Sequence, residues 1–156
     1  MRILAMISLI GIAATSVAQI TDDAELDEIV EMVRRVGQLE RETVIADELE
    51  MTPDERARFW PIYDEYRAEL KSVDDRLVAL ILEFAENYRS MPEATAVTMV
   101  DDYLDIEMDR LKVRQKYIRR LDDVLPPRKL ARFVQIENKL DSVARLAIAE
   151  EVPLVR

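Results

Sequence analysis

Residues 51–63 read MTPDERARFWPIY, and residues 125–137, which lie 74 positions later, read LPPRKLARFVQIE. Both copies have proline in the third place and contain Ala-Arg-Phe followed by isoleucine three residues after the phenylalanine. An apolar residue, Met51 or Leu125, stands two places before each proline. Proline is favoured in the first turn of a helix, where its missing N–H needs no partner. The repeat therefore predicts two helices that start alike, with Phe59 and Phe133 at equivalent packing positions.

The first copy carries the fuller start signal. Thr52 is expected as the N-cap, Pro53 as the first helical residue, and Glu55, three residues after the cap, completes a capping box. In the second copy Pro126 replaces the threonine and Lys129 replaces the acid. That copy therefore keeps only the proline and the apolar face.

Composition restricts the fold to the all-α class. The chain has 156 residues, of which 49% are hydrophobic and 35% charged, with only two glycines and neither cysteine nor histidine. Such a mixture suits amphipathic helices and lies outside the range of disordered chains. We predict a single helical domain over residues 19–156, with helices at about residues 22–47, 53–88, 92–124 and 127–149.

The amino terminus has the pattern of a secretory signal peptide. Arg2 precedes an apolar run that ends in small residues, which predicts removal of residues 1–18 by cleavage after Ala18. An uncleaved anchor is the alternative, but an apolar stretch of about 16 residues spans only ~24 Å as a helix, less than a bilayer core. We expect a periplasmic protein without a membrane span after cleavage. Loss of Arg2 would change the net charge from −10 to −11.

The second predicted helix has a heptad seam, because its apolar residues recur at steps of four and three. Such a seam requires a partner helix. Pro61 lies within the pattern and predicts a kink near the first two turns. The seam consists of Phe59, Tyr63, Tyr66, Leu70, Val73, Leu77, Leu80 and Phe84.

The third and fourth helices have apolar stripes of their own. Ser90 or Met91 is expected to cap the third helix before Pro92, and the pair Pro126 and Pro127 separates the two helices. The third stripe comprises Val97, Val100, Leu104, Met108, Leu111, Ile118, Leu121 and Leu125, and the fourth comprises Leu130, Phe133, Ile136, Leu140, Val143 and Ala147.

Charge is segregated along one flank of the third helix. Asp101, Asp102, Asp105 and Asp109 occupy its first half, and Lys112, Lys116, Arg119 and Arg120 occupy its second half. One interpretation is that these charges complement the helix dipole. The other is an antiparallel homodimer, in which each acidic half meets the basic half of the other copy.

The chain is acidic overall but contains one strongly basic segment. Residues 110–132 contain nine bases and two acids, whereas residues 21–55 contain thirteen acids and three bases. Nucleic acid is disfavoured as a partner, because the protein is predicted to be exported and few aromatic residues are interleaved with the bases. The remaining partners are an acidic client, an anionic envelope surface and the acidic first helix of the chain itself.

The residue types argue against catalysis and against a cofactor. Without histidine and cysteine there is neither the usual general base near neutral pH nor a thiolate nucleophile. A transition-metal site would have only carboxylates and methionines as ligands, and the string Asp101-Asp102-Tyr103-Leu104-Asp105 is interpreted as a solvated acidic flank. We predict a protein that is not an enzyme and holds no cofactor or metal.

The layout resembles the Spy/CpxP family of periplasmic proteins, whose paired LTxxQ motifs stand at two helix starts. The residues that carry the resemblance are Met51, Thr52, Pro53 and Glu55 in the first motif and Leu125, Pro127 and Lys129 in the second. Glu55 and Lys129 occupy the glutamine positions of the family, Pro126 replaces its second threonine, and the histidines of its metal-responsive members are missing.

The resemblance implies a curved, hairpin-like four-helix protomer and an antiparallel dimer. It also implies ATP-independent, chaperone-like binding of unfolded or envelope proteins. The alternative is a regulatory protein of an envelope-stress two-component or sigma/anti-sigma system, which would dock on a periplasmic sensor domain through residues 110–132. For aromatic residues on the seams, core packing is the alternative interpretation to surface binding. The candidate partner-binding residues are Arg58, Trp60, Tyr63, Lys112, Lys116, Arg119, Arg120, Arg132 and Phe133.

Overall fold

The described chain consists of four helices. A computed structural model describes residues 40–151, and for residues 86 and 147–151 it describes only the backbone. Within these bounds there is no strand, which confirms the all-α four-helix prediction. The helices are α1 (residues 40–49), α2 (Pro53–Asn87), α3 (Glu93–Asp122) and α4 (Pro127–Glu151).

The chain divides into two units, Met1–Thr43 and Val44–Arg156, and the contacts of α2, α3 and α4 lie within the second. The predicted signal peptide, residues 1–18, and the first part of the predicted first helix, residues 22–39, lie outside the described residues. The single domain over residues 19–156 therefore stays a prediction.

The predicted helix bounds are close to the observed ones. The first helix ends at residue 49 rather than 47, and α3 occupies 93–122 rather than 92–124. The expected cap at Ser90 or Met91 is wrong, because Pro92 has an extended backbone (φ −61°, ψ 143°) and is itself the N-cap, with no side-chain hydrogen bond. Helix α2 continues through Pro61 to its end.

The capping box at the start of α2 is confirmed. The Thr52 N–H donates to Glu55 Oε2 over 2.8 Å, and the Glu55 N–H donates to Thr52 Oγ1 over 3.3 Å. These two bonds satisfy amide groups that the first helical turn leaves without backbone acceptors. Just before the cap, Glu50 has φ 48°, a left-handed conformation in which the chain leaves α1.

Ion pairs join α2 to α3 in an antiparallel arrangement. Arg76 pairs with Asp109 at 2.7 Å and Asp74 with Arg110 at 2.8 Å. Nearer the start of α2, Glu69 pairs with Lys116, and Glu65 pairs with Arg120. The residue number on α3 rises as that on α2 falls, so the two helices form a hairpin.

Helices α2 and α4 run parallel, and their contacts preserve the spacing of the sequence repeat. Lys129 Nζ lies 2.7 Å from Glu55 Oε2, and the rings of Phe59 and Phe133 meet edge to face at 5.5 Å. One turn further, the Tyr63 hydroxyl donates to Glu137 Oε1 over 3.2 Å. Each of these pairs is separated by 74 positions, so equivalent residues of the two copies contact each other.

The antiparallel pairing of α3 and α4 completes the arrangement. Arg114 contacts Asp141 at 3.3 Å, and Arg145 contacts Glu107 at 2.7 Å.

Aromatic residues fill the centre of the core. Phe59, Tyr63, Tyr66 and Phe133 are all buried, and each ring lies within 6.5 Å of at least one other. Burying aromatic side chains of this size is a main source of folding free energy. The predicted seam of α2 is confirmed as far as Val73, with Leu77 and Leu80 partly buried beside it.

The predicted inward stripe of α3 is wrong over its first half. Residues 97, 100, 104, 108 and 111 are between 50% and 64% exposed. The buried side of α3 lies on the opposite face, because Met99, Ile106, Val113, Tyr117 and Leu121 pack inward. In α4, Val143 is also exposed, contrary to prediction, and the side chain of residue 147 lies outside the described residues.

Candidate functional site

The residues of the two repeated motifs form the junction between the starts of α2 and α4. Met51 and Leu125, the apolar residue of each motif, are buried in the core. Lys129 bridges the two motifs, since its Nζ donates to the backbone carbonyl of Glu50 over 2.8 Å as well as to Glu55. The motif positions therefore hold the two helix starts together.

The Glu55 carboxylate is stabilised in its charged form. Its pKa is held below the usual value of 4.5, first by the hydrogen bond from Lys129 and then by that from the Thr52 backbone N–H. The acid and base that stand at equivalent places of the two copies, Glu55 and Lys129, are thus partners of each other. The sequence showed both substitutions, but only the parallel packing of α2 and α4 shows that they are paired.

The arginine of the shared Ala-Arg-Phe run contacts, in each copy, the helix end that precedes the other copy. Arg58 donates to the carbonyl of Asp123, at the end of α3, over 2.7 Å. Arg132 pairs with Glu48, near the end of α1, at 2.7 Å. Two of the predicted partner-binding residues therefore have structural contacts. Both side chains remain about half exposed, at 53% and 50%.

Trp60 lies in an apolar surface groove. It packs edge to face on Phe59 and Tyr63, with centroid distances of 5.1 and 5.6 Å, and is only half-buried. The groove has a volume of about 530 Å³, and its other lining residues are Met51, Pro53, Arg56, Ala57 and Pro61. An apolar lining with one cationic side chain suits an apolar peptide segment.

Tyr63 and Phe133, two further predicted partner-binding residues, are buried and present no surface to a partner. Their exposed fractions are 0% and 2%, in agreement with the core-packing interpretation of the seam aromatics. Tyr63 and its core neighbour Tyr66 instead donate to a buried carboxyl group. The hydroxyl groups of Tyr63 and Tyr66 approach the two oxygens of Glu137 at 3.2 and 3.4 Å.

Sequence reasoning missed Glu137. It is 1% exposed and lies on α4 between the inward residues Ile136 and Leu140. The sequence did contain a signal for its burial, because Glu137 holds the same place in the second copy as the seam residue Tyr63 holds in the first. Burial, followed by the nearby Glu137 carboxyl, raises the pKa of the Tyr66 hydroxyl well above its usual value.

Most of the predicted basic binding residues are engaged with acids of the same chain. Lys112 pairs with Asp109 at 2.9 Å, and Lys116 and Arg120 pair with acids of α2. The pKa of Lys116 is raised, first by the hydrogen bond to Glu69. Arg119 differs, because it is exposed and has no ion pair with any described residue.

A second groove lies between the end of α1 and α4. It has a volume of about 500 Å³ and is lined largely by polar side chains, including the paired Glu48 and Arg132. Its other lining residues are Arg128, Ala131, Gln135, Ile136 and Lys139.

The sequence interpretation placed the exposed apolar face of α3 in the core. Its residues Val97, Val100, Leu104, Met108 and Leu111 follow steps of three or four, so they lie on one side of the helix. Their spacing was visible in the sequence. Only the packing of α3 against α2 and α4 shows that a different set is buried.

No group of three or more carboxylates that could hold a metal ion occurs among the described side chains. Among the described helices, none is long and apolar enough to cross a membrane. No family model matches the chain, and no curated protein or solved structure matches it either.

Proposed function

We propose that this chain is a non-enzymatic periplasmic protein of the Spy/CpxP type that binds unfolded or envelope proteins without ATP and acts as a homodimer. The observation that carries the proposal is the apolar groove around Trp60. A predicted contact residue lies there, half-buried, among apolar side chains at the surface. Unfolded chains expose apolar segments, and a groove of this kind buries such segments on binding.

The groove is preorganised by the fold. Thr52, Pro53 and Glu55 start α2 at a defined residue, and Phe59 supports the indole ring from the core side. Arg56 at the groove edge supplies a positive charge for acidic client segments. The rest of the groove lining is apolar, which favours contacts that do not depend on one client sequence.

A single substitution in the groove tests client binding. Ala57 is exposed and lines the groove, so Ala57→Glu places a charge there without disturbing the core. We expect the variant to lose most of its ability to suppress aggregation of a chemically denatured client at stoichiometric amounts. The loss follows because an apolar segment would then be buried against an unpaired carboxylate.

The matched control is Ala68→Glu, the same change on an exposed face of the same helix, outside the groove. It should suppress aggregation as the parent does. Trp60 is the only tryptophan of the chain, so its fluorescence also reports occupation of the groove. If the parent chain does not suppress aggregation, the chaperone proposal is wrong. If both variants suppress aggregation equally, the client binds outside the groove.

The alternative is a regulatory protein that docks on a periplasmic sensor domain or anti-sigma factor. It would use the basic surface of residues 110–132. This use has less support, because Arg110, Lys116 and Arg120 pair with acids of α2. Deleting the gene separates the two: induction of an envelope-stress regulon in unstressed cells favours the regulator, and sensitivity only to protein-damaging stress favours the chaperone.

A further inference from the structure

The apolar groove at the start of α2 is lined by a single charged side chain. Arg56 is exposed and has no ion pair with a described residue. The two acids of the same helical turn have other partners. Asp54 lies 3.7 Å from Arg58, and Glu55 lies 2.7 Å from Lys129. The groove therefore matches a ligand that is apolar and carries one negative charge.

The proline within α2 leaves a main-chain acceptor beside the groove. Pro61 has no N–H, so the carbonyl of Ala57 does not receive the hydrogen bond that the residue four places further on supplies elsewhere in the helix. Ala57 and Pro61 both line the groove, and both are exposed. A peptide N–H is a donor from which this carbonyl can accept.

The indole ring of Trp60 adds a donor to the same groove. Its N–H donates to no described residue, and the side chain is only half-buried. An indole N–H usually has a hydrogen-bond partner once it is covered. A ligand that covers Trp60 should therefore offer an acceptor, and a peptide carbonyl is one.

The carboxyl-terminal segment of a polypeptide combines these features. Its main chain supplies N–H and carbonyl groups, its side chains can be apolar, and its terminus carries one negative charge whatever its sequence. Arginine binds a carboxylate through two parallel N–H groups. A fatty acid has the charge and the apolar body, but it has no N–H for the carbonyl of Ala57.

We propose that the apolar groove binds the free carboxyl terminus of an extended apolar peptide segment, with Arg56 on the terminal carboxylate. The carbonyl of Ala57 accepts from a peptide N–H, and the Trp60 N–H donates to a peptide carbonyl. This inference rests on the proposed function, since it names the part of the client that the same groove takes.

Three tryptophan-free peptides test the ligand, with binding to the purified chain measured by Trp60 fluorescence and by calorimetry. They are acetyl-Ser-Ala-Leu-Ala-Leu with a free carboxylate, the same peptide with a terminal amide, and acetyl-Ser-Asp-Leu-Ala-Leu with a terminal amide. We expect the free acid to bind at least about 10-fold more tightly than either amide, because only it ends in a carboxylate. The proposal is overturned if acid and amide bind equally, if the internal acid serves as well as the terminal one, or if no peptide binds.

Arg56→Met tests the cation. Methionine is a good helix former, so far-UV circular dichroism and the midpoint of urea unfolding should stay unchanged. The variant should bind the free acid and its amide equally. Arg128→Met is the matched control, because Arg128 is exposed on α4, outside the groove, and has no ion pair with a described residue. It should keep the preference of the parent, whereas a preference that survives in Arg56→Met contradicts the proposal.

Pro61→Ala tests the main-chain contact. Alanine restores an N–H within the helix, so the carbonyl of Ala57 gains an internal donor and the variant should unfold at a higher urea concentration. It should nevertheless bind the free-acid peptide roughly 3-fold or more weakly, because the carbonyl is no longer free to accept from the ligand. Octanoate has no N–H, so it should bind parent and variant alike. Unchanged peptide binding, or an equal loss for octanoate, contradicts this contact.

Comparison with the aggregation assay separates this inference from the proposed function. If the parent suppresses aggregation but binds acid and amide equally, the chaperone proposal stands and the carboxyl terminus is not the ligand. If the free acid binds with the expected preference but the parent does not suppress aggregation, the ligand stands and the chaperone proposal is wrong.

Discussion

At the residue scale, the described chain contains one residue other than glycine with a positive φ, and it lies directly before the motif. Glu50, at φ 48°, ends α1 and lets the chain turn into the capping box of α2. The left-handed conformation costs a residue with a Cβ roughly 1–2 kcal/mol, whereas glycine adopts it freely. The carbonyl of Glu50 accepts from Lys129, so the strained backbone is held by the second motif.

Replacing Glu50 with glycine tests this strain. We expect Glu50→Gly to raise the free energy of unfolding by about 0.5 kcal/mol, because relief of the left-handed conformation is partly offset by the larger entropy of glycine in the unfolded chain. Urea unfolding measures it. Glu50→Ala is the control, since alanine keeps a Cβ and should not be stabilising. A gain as large in the alanine variant would locate the effect in the lost carboxylate instead.

At the scale of the elements, ion pairs follow the antiparallel register of α2 against α3. The pKa of Glu69 is lowered, first by the hydrogen bond from Lys116, and the pKa of Glu65 is lowered by the bond from Arg120. The pKa of Asp109 is also lowered, first by the hydrogen bond from Lys112 and then by that from Arg76. These are surface pairs, so each contributes little alone and the contribution is reduced by salt.

The hairpin should lose stability in acid. A carboxyl group whose pKa is lower in the folded than in the unfolded state binds fewer protons when folded, so it stabilises the fold above its unfolded pKa. For Glu69 this stabilisation should decline as the pH falls below the ordinary value of 4.5 towards its lower folded pKa. Denaturant unfolding across that range should show it.

Lys116→Met should make this pH dependence weaker, because it removes the largest cause of the Glu69 shift. Lys139→Met is the matched control, since Lys139 is exposed and makes no ion pair with a described residue. Equal pH dependence in the two variants would show that the Glu69 pair contributes nothing to the stability of the hairpin.

At the scale of the whole molecule, contact between the two repeat copies organises the core. Phe59 and Phe133 belong to different helices and meet at 5.5 Å, with Tyr63 and Tyr66 beside them. Within this cluster the Glu137 carboxyl group accepts a hydrogen bond from each of the two tyrosine hydroxyl groups. Buried polar groups of this kind are tolerated when they are hydrogen-bonded. The α2–α4 contact therefore buries Phe59 and Tyr63, the two rings on which Trp60 packs.

A double-mutant cycle tests that contact. Phe59→Ala and Phe133→Ala should each lower the free energy of unfolding by about 3–5 kcal/mol, because both rings are buried. Together they should cost less than the sum, by about 0.5–1.5 kcal/mol, since each ring is the other's partner. Urea unfolding of all four proteins measures the difference.

Phe59→Ala with Val113→Ala provides the control cycle. Val113 lies on α3 between residues that pair with Glu69 and Asp74, at least ten residues along α2 from Phe59. The two changes should be additive. Coupling of equal size in both cycles would mean that the core responds as a whole and that the repeat contact has no special role.

The sequence by itself determined the all-α class and the start of α2. Thr52, Pro53 and Glu55 specify the start of α2 through local hydrogen bonds, and a glycine-poor chain with heptad spacing specifies an all-α fold, because both depend on neighbours in the chain. The seam of α2 was predictable for the same reason. Helix α2 has one apolar row that continues over most of its length, so its spacing indicates which side is buried.

The tertiary structure decided which side of α3 is buried and which residues of the repeat copies meet. Helix α3 carries two apolar rows of similar period, so periodicity cannot choose between Leu104 and Ile106, and the choice falls to packing against α2 and α4. The parallel alignment of α2 and α4 likewise made Glu55 and Lys129 partners and buried Tyr63 and Phe133. These contacts join residues 74 positions apart, and their energy depends on the fold that brings them together.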